Sequence, residues 1–331
     1  MSKGVLIACV LSVILSSTVS SQPQGDRDKP IMTLSYEKMI YSIAWHPDGK
    51  TLATLEEGGQ IRIRDTGEKQ DKLAFNPFQG QLGTARTLAW SPDGKMLAFG
   101  GADDDIWIWD IALKKRSILR GHKNTVFCVA FSRDGKSLAS SSLDGTAKIW
   151  DVSTRTETWT LRGHGAGICD LAFDPDGKIL ATASHDNTIK LWNVQDGSER
   201  TTLVGHRDNV VSVGITSDGK SVVSGSHDRT VRVWDIKMGK VRWTLQGHWA
   251  TPFGVACYRD GSIAATADGN GRIKVWDLAL GKELRTFSHG GGLVRAITFS
   301  DDGTTLATGA ANGTLKLWDM CDLLRVSPRG K

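Results

Sequence analysis

Seven Asp-Gly pairs at nearly equal spacing constrain this chain more than any other feature of its sequence. They begin at Asp48, Asp93, Asp134, Asp176, Asp218, Asp260 and Asp302, so the successive spacings are 45, 41 and then 42 residues throughout. A fixed period of about 20–50 residues is typical of repeat architectures, in which each repeat is one supersecondary unit. We therefore predict one array of seven like units over residues 30–320.

Each unit has the pattern of short antiparallel strands. In the fourth unit, strand-like segments run from Ile168 to Phe173, from Ile179 to Ser184 and from Thr188 to Trp192, with turns at Asp176-Gly177 and Asp186-Asn187. Such segments between Gly, Asn and Asp turns indicate hairpins. A sheet of this size cannot bury both faces alone, so the units must pack face to face around an axis. The pattern predicts an all-β, seven-bladed propeller of four-stranded blades.

Two further series run in phase with the Asp-Gly pairs. Trp-Asp or Trp-Asn pairs begin at Trp109, Trp150, Trp192, Trp234, Trp276 and Trp318, and Gly-His pairs begin at Gly121, Gly163, Gly205 and Gly247. The sequence here resembles the WD-repeat (β-transducin-like) family, whose repeats run from a Gly-His to a Trp-Asp. The resemblance covers residues 30–319 and implies a scaffold for protein assembly.

The resemblance also implies a buried hydrogen-bonded chain of histidine, serine or threonine, aspartate and tryptophan in each blade. A His/Asp/Ser set could instead be a hydrolase triad, but it recurs in three repeats, whereas a catalytic constellation occurs once. The matching residues are His122, Ser142, Asp144 and Trp150; His164, Ser184, Asp186 and Trp192; and His206, Ser226, Asp228 and Trp234.

The other four repeats depart from this pattern, and we expect the end blades to be less stable. Repeat 1 has Tyr36 and Arg64 at the histidine and tryptophan positions; repeat 2 keeps Asp103 and Trp109 without a Gly-His; repeat 6 keeps His248 and Trp276 with Asp268 and Asn270 at the serine and aspartate positions; and repeat 7 has a displaced His289 with Ala310 and Asn312.

Closure of the ring is predicted from a short internal similarity. Lys29 to Leu34 matches Lys240 to Leu245, which by register is the outer strand of a blade. An open ring would leave unpaired strand edges. We therefore expect Ile31 to Leu34 to pair with the last blade, and a C-terminal tail at 321–331 that adds little to the propeller.

The N-terminus has the layout of a secretory signal peptide. Lys3 precedes an apolar run from Val5 to Leu15, and small residues follow it up to Ser21. That run is shorter than the roughly 20 residues that span a bilayer. We predict a cleaved signal peptide at 1–21, a linker at 22–29 and an exported, periplasmic or secreted protein without a membrane span in the mature chain. The alternative is a cytoplasmic protein.

Composition supplies little evidence for other functions. The net charge is +5, but the basic residues are dispersed, so no nucleic-acid partner is expected. The four cysteines after the leader have no metal-ligand spacing and are expected to be free thiols. The sequence has neither a phosphate-binding glycine loop nor a nucleophile elbow. We predict no catalytic residue, metal or cofactor, and a monomer within a larger assembly.

Binding is predicted on the face that carries the histidine loops, around the channel mouth. A second candidate contact is the long connection from Phe75 to Thr84, which could equally fold onto its own blade. The alternative function is an exported enzyme or small-ligand-binding module that uses the central channel. The candidate residues for binding of proteins or peptides are Tyr41, Arg86, Phe127, Leu143, His185, His227, Trp249, Phe253 and Arg295.

Overall fold

The computed structural model describes residues 28–68, 70–77 and 85–324. They form seven four-stranded antiparallel sheets, and the innermost strand of each sheet packs against the innermost strands of its two neighbours. The last sheet packs against the first, so the ring is closed. The chain is thus a seven-bladed β-propeller, and the fold predicted from the repeat spacing is confirmed.

The blades follow one another along the chain. Blade 1 contains β2 (Ile40–Trp45), β3 (Thr51–Glu56), β4 (Ile61–Asp65) and β5 (Asp71–Phe75). Blade 2 contains β6 (Ala85–Trp90), β7 (Met96–Gly101), β8 (Ile106–Asp110) and β9 (Lys115–Leu119). Blade 3 contains β10 (Val126–Phe131), β11 (Ser137–Ser142), β12 (Ala147–Asp151) and β13 (Thr156–Leu161). Blade 4 contains β14 (Ile168–Phe173), β15 (Ile179–Ser184), β16 (Thr188–Asn193) and β17 (Glu199–Val204).

The remaining blades repeat this order, except that the last one is completed by the N-terminus. Blade 5 contains β18 (Val210–Ile215), β19 (Ser221–Ser226), β20 (Val231–Asp235) and β21 (Lys240–Leu245). Blade 6 contains β22 (Pro252–Cys257), β23 (Ile263–Asp268), β24 (Arg272–Asp277) and β25 (Lys282–Ser288). Blade 7 contains β26 (Val294–Phe299), β27 (Thr305–Ala310) and β28 (Thr314–Asp319), with β1 (Met32–Ser35) as its outer strand.

Strand β1 closes the ring as predicted. It runs antiparallel to β28, with Leu34 opposite Leu315 and Met32 opposite Leu317. The N–H of Ile31 also donates to the carbonyl oxygen of Leu317 at 2.8 Å. Met32 and Leu34 pack against an apolar cluster that contains residues of blades 1 and 7. The two ends of the array therefore share one sheet and one core.

The Asp-Gly pairs form the turns between the first and second strands of the blades. In blade 3, the Oδ1 of Asp134 accepts hydrogen bonds from the N–H of Lys136 at 3.0 Å and from the hydroxyl of Ser132 at 2.7 Å. Gly135 has a φ of 71°, in the left-handed region that glycine adopts without a steric penalty. The repeated dipeptide is therefore explained by one turn geometry.

The chain after the last blade was predicted to be a tail that adds little to the propeller, and the structure differs from this prediction. Helix α1 (Met320–Leu324) follows β28 directly, and its Met320 and Leu323 are buried in the core of blades 6 and 7. The tail thus contributes to the core over these residues. The predicted signal peptide, the linker up to residue 27 and residues 325–331 lie outside the described residues. Within the described ranges, no helix is long and apolar enough to cross a membrane.

Candidate functional site

A β-bulge occurs near the start of the innermost strand in every blade. The first strand advances by two residues while its neighbour advances by one, so one residue of each innermost strand is left out of the pairing. Bulges redirect a side chain and are frequent beside functional sites. The seven bulged residues are Tyr41, Arg86, Phe127, Cys169, Val211, Phe253 and Arg295.

Five of these residues form an alternating aromatic and arginine arc over blades 6, 7, 1, 2 and 3, which we call the mouth arc: Phe253, Arg295, Tyr41, Arg86 and Phe127. The guanidinium carbon of Arg86 lies 5.8 Å from the ring centre of Tyr41 and 5.4 Å from that of Phe127. The guanidinium carbon of Arg295 lies 5.3 Å from the ring centre of Phe253. Contacts of this kind hold an arginine in place without neutralising its charge.

The mouth arc lines a pocket of about 570 Å³ at the channel mouth. His185 and His227, from the turns between second and third strands of blades 4 and 5, line it as well, and the His227 ring packs on Phe253 at 5.9 Å. In each blade, the start of the first strand pairs with the end of the second, so these turns lie at the same end as the histidine loops. The structure thus brings seven of the nine candidate binding residues together.

The other two candidates, Leu143 and Trp249, do not line this pocket. Trp249 is 69% exposed, and the guanidinium carbon of Arg272 lies 3.7 Å from its ring centre. Leu143 is partly exposed and lies close to Gly167, where an added Cβ would be 2.7 Å from the Leu143 Cδ1 atom. Leu143 therefore fills space against the loop of the next blade.

The channel mouth is lined by more basic than acidic side chains. Burial lowers the pKa of Arg295, and the nearby charge of Arg86 lowers it further. Burial and the neighbouring His227 lower the pKa of His185. The pocket is lined by one carboxylate, that of Asp170, among the described residues. Two guanidinium groups and two imidazoles thus face a region with little negative charge.

Asp170 is a channel residue that the sequence analysis missed. Its Oδ2 accepts a hydrogen bond from the N–H of Val213 in the next blade at 2.8 Å. The equivalent residues of blades 1 and 2 make the same inter-blade contact, from Leu88 N–H to the hydroxyl of Ser42 and from Val129 N–H to that of Thr87. Asp170 therefore ties two blades together. Its charge within an apolar strand was the available signal.

Burial is also the main influence on the acid and thiol groups beside the channel. It raises the pKa of Asp170 to about 6, although the N–H of Val213 opposes this shift. Burial raises the pKa of Cys169 to about 12 and that of Cys128 well above its usual value. A reactive cysteine needs a lowered pKa, because the thiolate is the nucleophile. These thiols are protonated at neutral pH.

The buried polar chain exists in blade 3, but its hydroxyl differs from the predicted one. The Oγ of Ser140 lies 2.8 Å from His122 Nε2 and accepts a hydrogen bond from Trp150 Nε1 at 2.9 Å, while His122 Nδ1 lies 3.0 Å from an oxygen of Asp144. Ser142 instead donates to the carbonyl oxygen of Asn124. The same correction holds in blades 4 and 5, where Thr182 and Ser224 replace the predicted Ser184 and Ser226 between His164 and Trp192 and between His206 and Trp234.

Hydrogen bonds to the turn aspartates keep them ionised. Burial by itself raises the pKa of Asp144, but hydrogen bonds from Thr146, from the N–H of Lys123 and from His122 lower it to about 2. Asp186 has the same environment and its pKa is also lowered to about 2. Each carboxylate thus joins the histidine loop to the turn between the second and third strands.

Blade 6 departs from the repeat pattern at two positions, yet it forms a polar chain of the same kind. Asp268, at the position of Ser142, reaches His248 Nδ1 at 2.8 Å. The hydroxyl of Thr266 lies 2.7 Å from His248 Nε2 and accepts from Trp276 Nε1 at 2.8 Å. An aspartate two residues earlier therefore replaces the turn aspartate. In blade 7, His289 and Trp318 share the Thr308 hydroxyl, with Thr314 in place of the carboxylate.

Blades 1 and 2 use other contacts. In blade 1, Arg64 Nε donates to Asp71 at 2.7 Å and Arg62 Nη1 donates to the other oxygen of Asp71 at 3.0 Å. In blade 2, Asp103 accepts from Trp107 Nε1 at 2.8 Å, whereas Trp109 stacks on Phe75 at 4.8 Å.

Where it is described, the long connection after Phe75 packs onto blade 2. Phe75 is stacked on Trp109, Pro77 is buried, and the carbonyl oxygen of Pro77 accepts a hydrogen bond from Arg116 at 2.7 Å. Residues 78–84 lie outside the described ranges. Where described, this connection follows the folded-back alternative.

Metal ligation requires several histidine, cysteine or acidic side chains that converge on one point. Within 28–68, 70–77 and 85–324, no group of three or more such side chains is placed to hold a metal ion. None of the four cysteines in these ranges forms a disulfide. His122, His164, His206 and His248 each contact an aspartate of their own blade, and His185 and His227 line the mouth.

Comparison with known families agrees with this architecture. A family model described as WD domain, G-beta repeat matches the chain at residues 28–65, 75–110, 113–151, 155–193, 197–235, 239–277 and 281–319. The protein belongs to this WD-repeat family, whose propellers are typically scaffolds for protein interactions and generally non-catalytic. Among proteins of curated function, the chain has no significant sequence match.

Proposed function

We propose that this propeller is a non-enzymatic scaffold that binds a segment of a partner protein at the channel mouth, on the face of the histidine loops. The observation that carries the proposal is the mouth arc, in which Arg86 and Arg295 alternate with three aromatic rings. Arginine and aromatic residues are enriched where interfaces derive most of their binding energy. Loops and strand ends on a rigid scaffold commonly bind partners.

The chemistry of the arc favours a partner segment with carboxylate groups. Each guanidinium can donate two parallel hydrogen bonds to a carboxylate, and the flanking rings supply apolar contact area. Asp170 does not compete for the ligand, because its oxygens accept the N–H groups of Val213 and Leu171. The pocket of about 570 Å³ accommodates a few side chains of an extended peptide.

The exposed Trp249 extends this surface beyond the pocket. Its ring lies beside the mouth on the loop that carries His248, and Arg272 covers one side of it. Exposed tryptophans with an arginine neighbour are typical binding anchors. We include Trp249 in the proposed site for this reason.

The test is capture of partners by the tagged protein. A variant with alanine at Tyr41, Arg86, Trp249, Phe253 and Arg295 should lose the proteins that the wild type retains from a lysate of its source cells. A matched variant carries alanine at Lys95, Lys136, Lys178, Lys220 and Met238, which are exposed on the opposite face. This control should retain the same partners. Unchanged capture by the mouth variant, or loss in the control alone, would refute this site.

We also propose that the chain is exported and acts as a monomer within a larger assembly. The basis is the N-terminal charge, apolar run and small residues up to Ser21. The mass of the mature protein, isolated from its source cells, should correspond to a chain that begins near Gln22. A chain of full length in the cytosol would exclude export.

A further inference from the structure

A cation and a carboxylate form a pair at equivalent positions of blades 3, 4 and 6. Lys148 Nζ lies 2.7 Å from Glu157 in blade 3, and Lys190 Nζ lies 2.9 Å from Glu199 in blade 4. Lys274 and Glu283 form the same pair in blade 6. In all three, the glutamate is on the outer strand, opposite the tryptophan of the repeated Trp-Asp or Trp-Asn pair. This arrangement neutralises the buried cation within its own blade.

Blade 5 keeps the cation but lacks the carboxylate. Arg232 occupies the lysine position, and Val241 lies opposite Trp234, where blades 3, 4 and 6 have glutamate. The Nε atom of Arg232 is buried and has no hydrogen-bond partner in the described part of the chain. A buried polar group without a partner is destabilising, and more so if it is charged. An anion beside this guanidinium would balance its charge, as the glutamates do in blades 3, 4 and 6.

A pocket of about 400 Å³ opens beside Arg232, and two further arginines, Arg207 and Arg229, line it. Neither of these makes an ion pair with a carboxylate in the described residues. The pocket also contains Asp228, but its oxygens are occupied by His206 Nδ1, the N–H of Arg207 and Thr230. Three arginines therefore line one pocket that contains a single, already engaged carboxylate.

Gly205 makes room for the guanidinium at this site. A Cβ atom added at residue 205 would lie 2.5 Å from Arg232 Nη1, so a larger side chain would displace it. The pocket shares none of its lining residues with the pocket at the channel mouth. The two pockets are thus separate, and a ligand in blade 5 is independent of the function proposed for the mouth.

We propose that this blade 5 pocket binds a phosphate group, either as inorganic phosphate or as a phosphoryl group on a partner. A phosphate has several charged acceptor oxygens in a tetrahedral arrangement, which suits guanidinium groups that approach from different directions. A carboxylate has two oxygens in one plane and can satisfy fewer of the three arginines. The bound phosphate provides the negative charge at this position of blade 5. Glu157, Glu199 and Glu283 provide it in blades 3, 4 and 6.

The experiment is calorimetric titration of the full-length protein with inorganic phosphate in a chloride buffer. The wild type should bind phosphate, with an affinity that falls as potassium chloride is added. Val241→Glu restores the carboxylate of the other blades and should weaken phosphate binding by about tenfold or more, although every arginine remains. Arg232→Met should weaken it to a similar extent, and it keeps the test valid if the first variant folds poorly.

The matched control is Met238→Glu, which adds the same charge to blade 5 at an exposed position on the opposite face. Its phosphate affinity should equal that of the wild type. Two results would overturn the proposal: no binding by the wild type at millimolar phosphate, or equal affinities of the wild type and a folded Arg232→Met variant. Thermal melting of each variant establishes that it is folded.

A second titration distinguishes the two sources of the phosphate group. A phosphoserine peptide that binds more tightly than inorganic phosphate, with its unphosphorylated form inactive, identifies a phosphoryl group on a partner. A peptide no tighter than inorganic phosphate identifies the free anion as the ligand. In both cases Val241→Glu should weaken the binding. Equal binding of the phosphorylated and unphosphorylated peptides would count against a phosphate site.

Discussion

Trp150 donates its indole N–H to the hydroxyl oxygen of Ser140 at 2.9 Å, and this oxygen also contacts His122. One small hydroxyl thus satisfies two buried rings from different parts of the blade. Buried polar groups are destabilising without partners, so removal of this oxygen would leave both Trp150 Nε1 and His122 Nε2 unsatisfied. Ser142, two residues later, bonds the backbone of the histidine loop instead.

This difference predicts unequal effects of two neighbouring serine substitutions. Ser140→Ala leaves both Trp150 Nε1 and His122 Nε2 without their partner, and it should lower the free energy of unfolding by about 3 kcal/mol. Ser142→Ala should lower it by about 1 kcal/mol. Urea unfolding followed by tryptophan fluorescence measures both. An equal or larger loss for Ser142→Ala would contradict the assignment.

The ionic group of blade 1 predicts a second contrast. Asp71→Asn removes the charge that pairs with both Arg62 and Arg64, and it should cost about 2–3 kcal/mol of stability. Lys72→Gln removes a neighbouring, more exposed ion pair with Asp65 and should cost less stability than Asp71→Asn. Thermal or urea unfolding checks the difference. A harmless Asp71→Asn would show that blade 1 is held by packing alone.

His289 predicts a dependence of stability on pH. Burial, together with Lys316, lowers the pKa of His289 to about 4 from the ordinary value of 6.5. The unfolded chain therefore binds more protons than the folded chain in this range, so stability is full above pH 6.5 and falls towards pH 4. The loss assigned to His289 is about 3 kcal/mol.

The measurement compares urea unfolding of the wild type and of His289→Asn at several pH values between 7 and 4. The difference between the two proteins should shrink on acidification, because asparagine does not titrate there. Other histidines and aspartates contribute equally to both proteins and cancel. A difference that is constant with pH would contradict the prediction.

Ring closure by β1 predicts an alternating sensitivity along that strand. Leu34 packs into the cluster shared by blades 1 and 7, whereas Thr33 is exposed. Leu34→Asp should lower the free energy of unfolding by about 2 kcal/mol, because it places a charge in an apolar contact. Thr33→Asp should change it by less than about 0.5 kcal/mol. Equal melting temperatures of the two variants would argue against a structural role for β1.

Much of the fold was predictable because its determinants are local and repeated. The Asp-Gly turn needs a carboxylate and a left-handed residue at fixed positions, as Asp134 and Gly135 show, and a repeated need produces a visible period. The closing strand was predictable because Leu34 and Leu245 occupy equivalent positions in outer strands. Both features depend on residue type and spacing alone.

The hydroxyl of the polar chain was not predictable in the same way. Ser140 and Ser142 lie on one face of the same strand, and the choice between them depends on how far the tryptophan reaches across the sheet. The same reach explains blade 6. There Thr266 provides the hydroxyl beside His248, and Asp268 provides the carboxylate that a turn aspartate provides in blades 3 to 5. Side-chain reach is a property of the folded blade.

The channel mouth shows a third case. Seven of the nine candidate binding residues line the pocket, but for five of them this depends on a bulge that has no sequence signature of its own. Trp249 and Leu143 lie outside the pocket because their side chains are set by loop geometry. Backbone irregularities are decided by the whole ring, so a single repeat does not reveal them.

The pairing of β1 with β28 also has a consequence for how the protein is made. Leu34 leaves the ribosome long before its partner Leu315, with about 280 residues between them. At about 5–20 residues per second, Leu34 waits roughly 15 to 60 seconds before that partner is synthesised. A chain that stops before β28 has no partner strand for β1 and cannot close the ring. Ring closure therefore requires that the last blade has been synthesised.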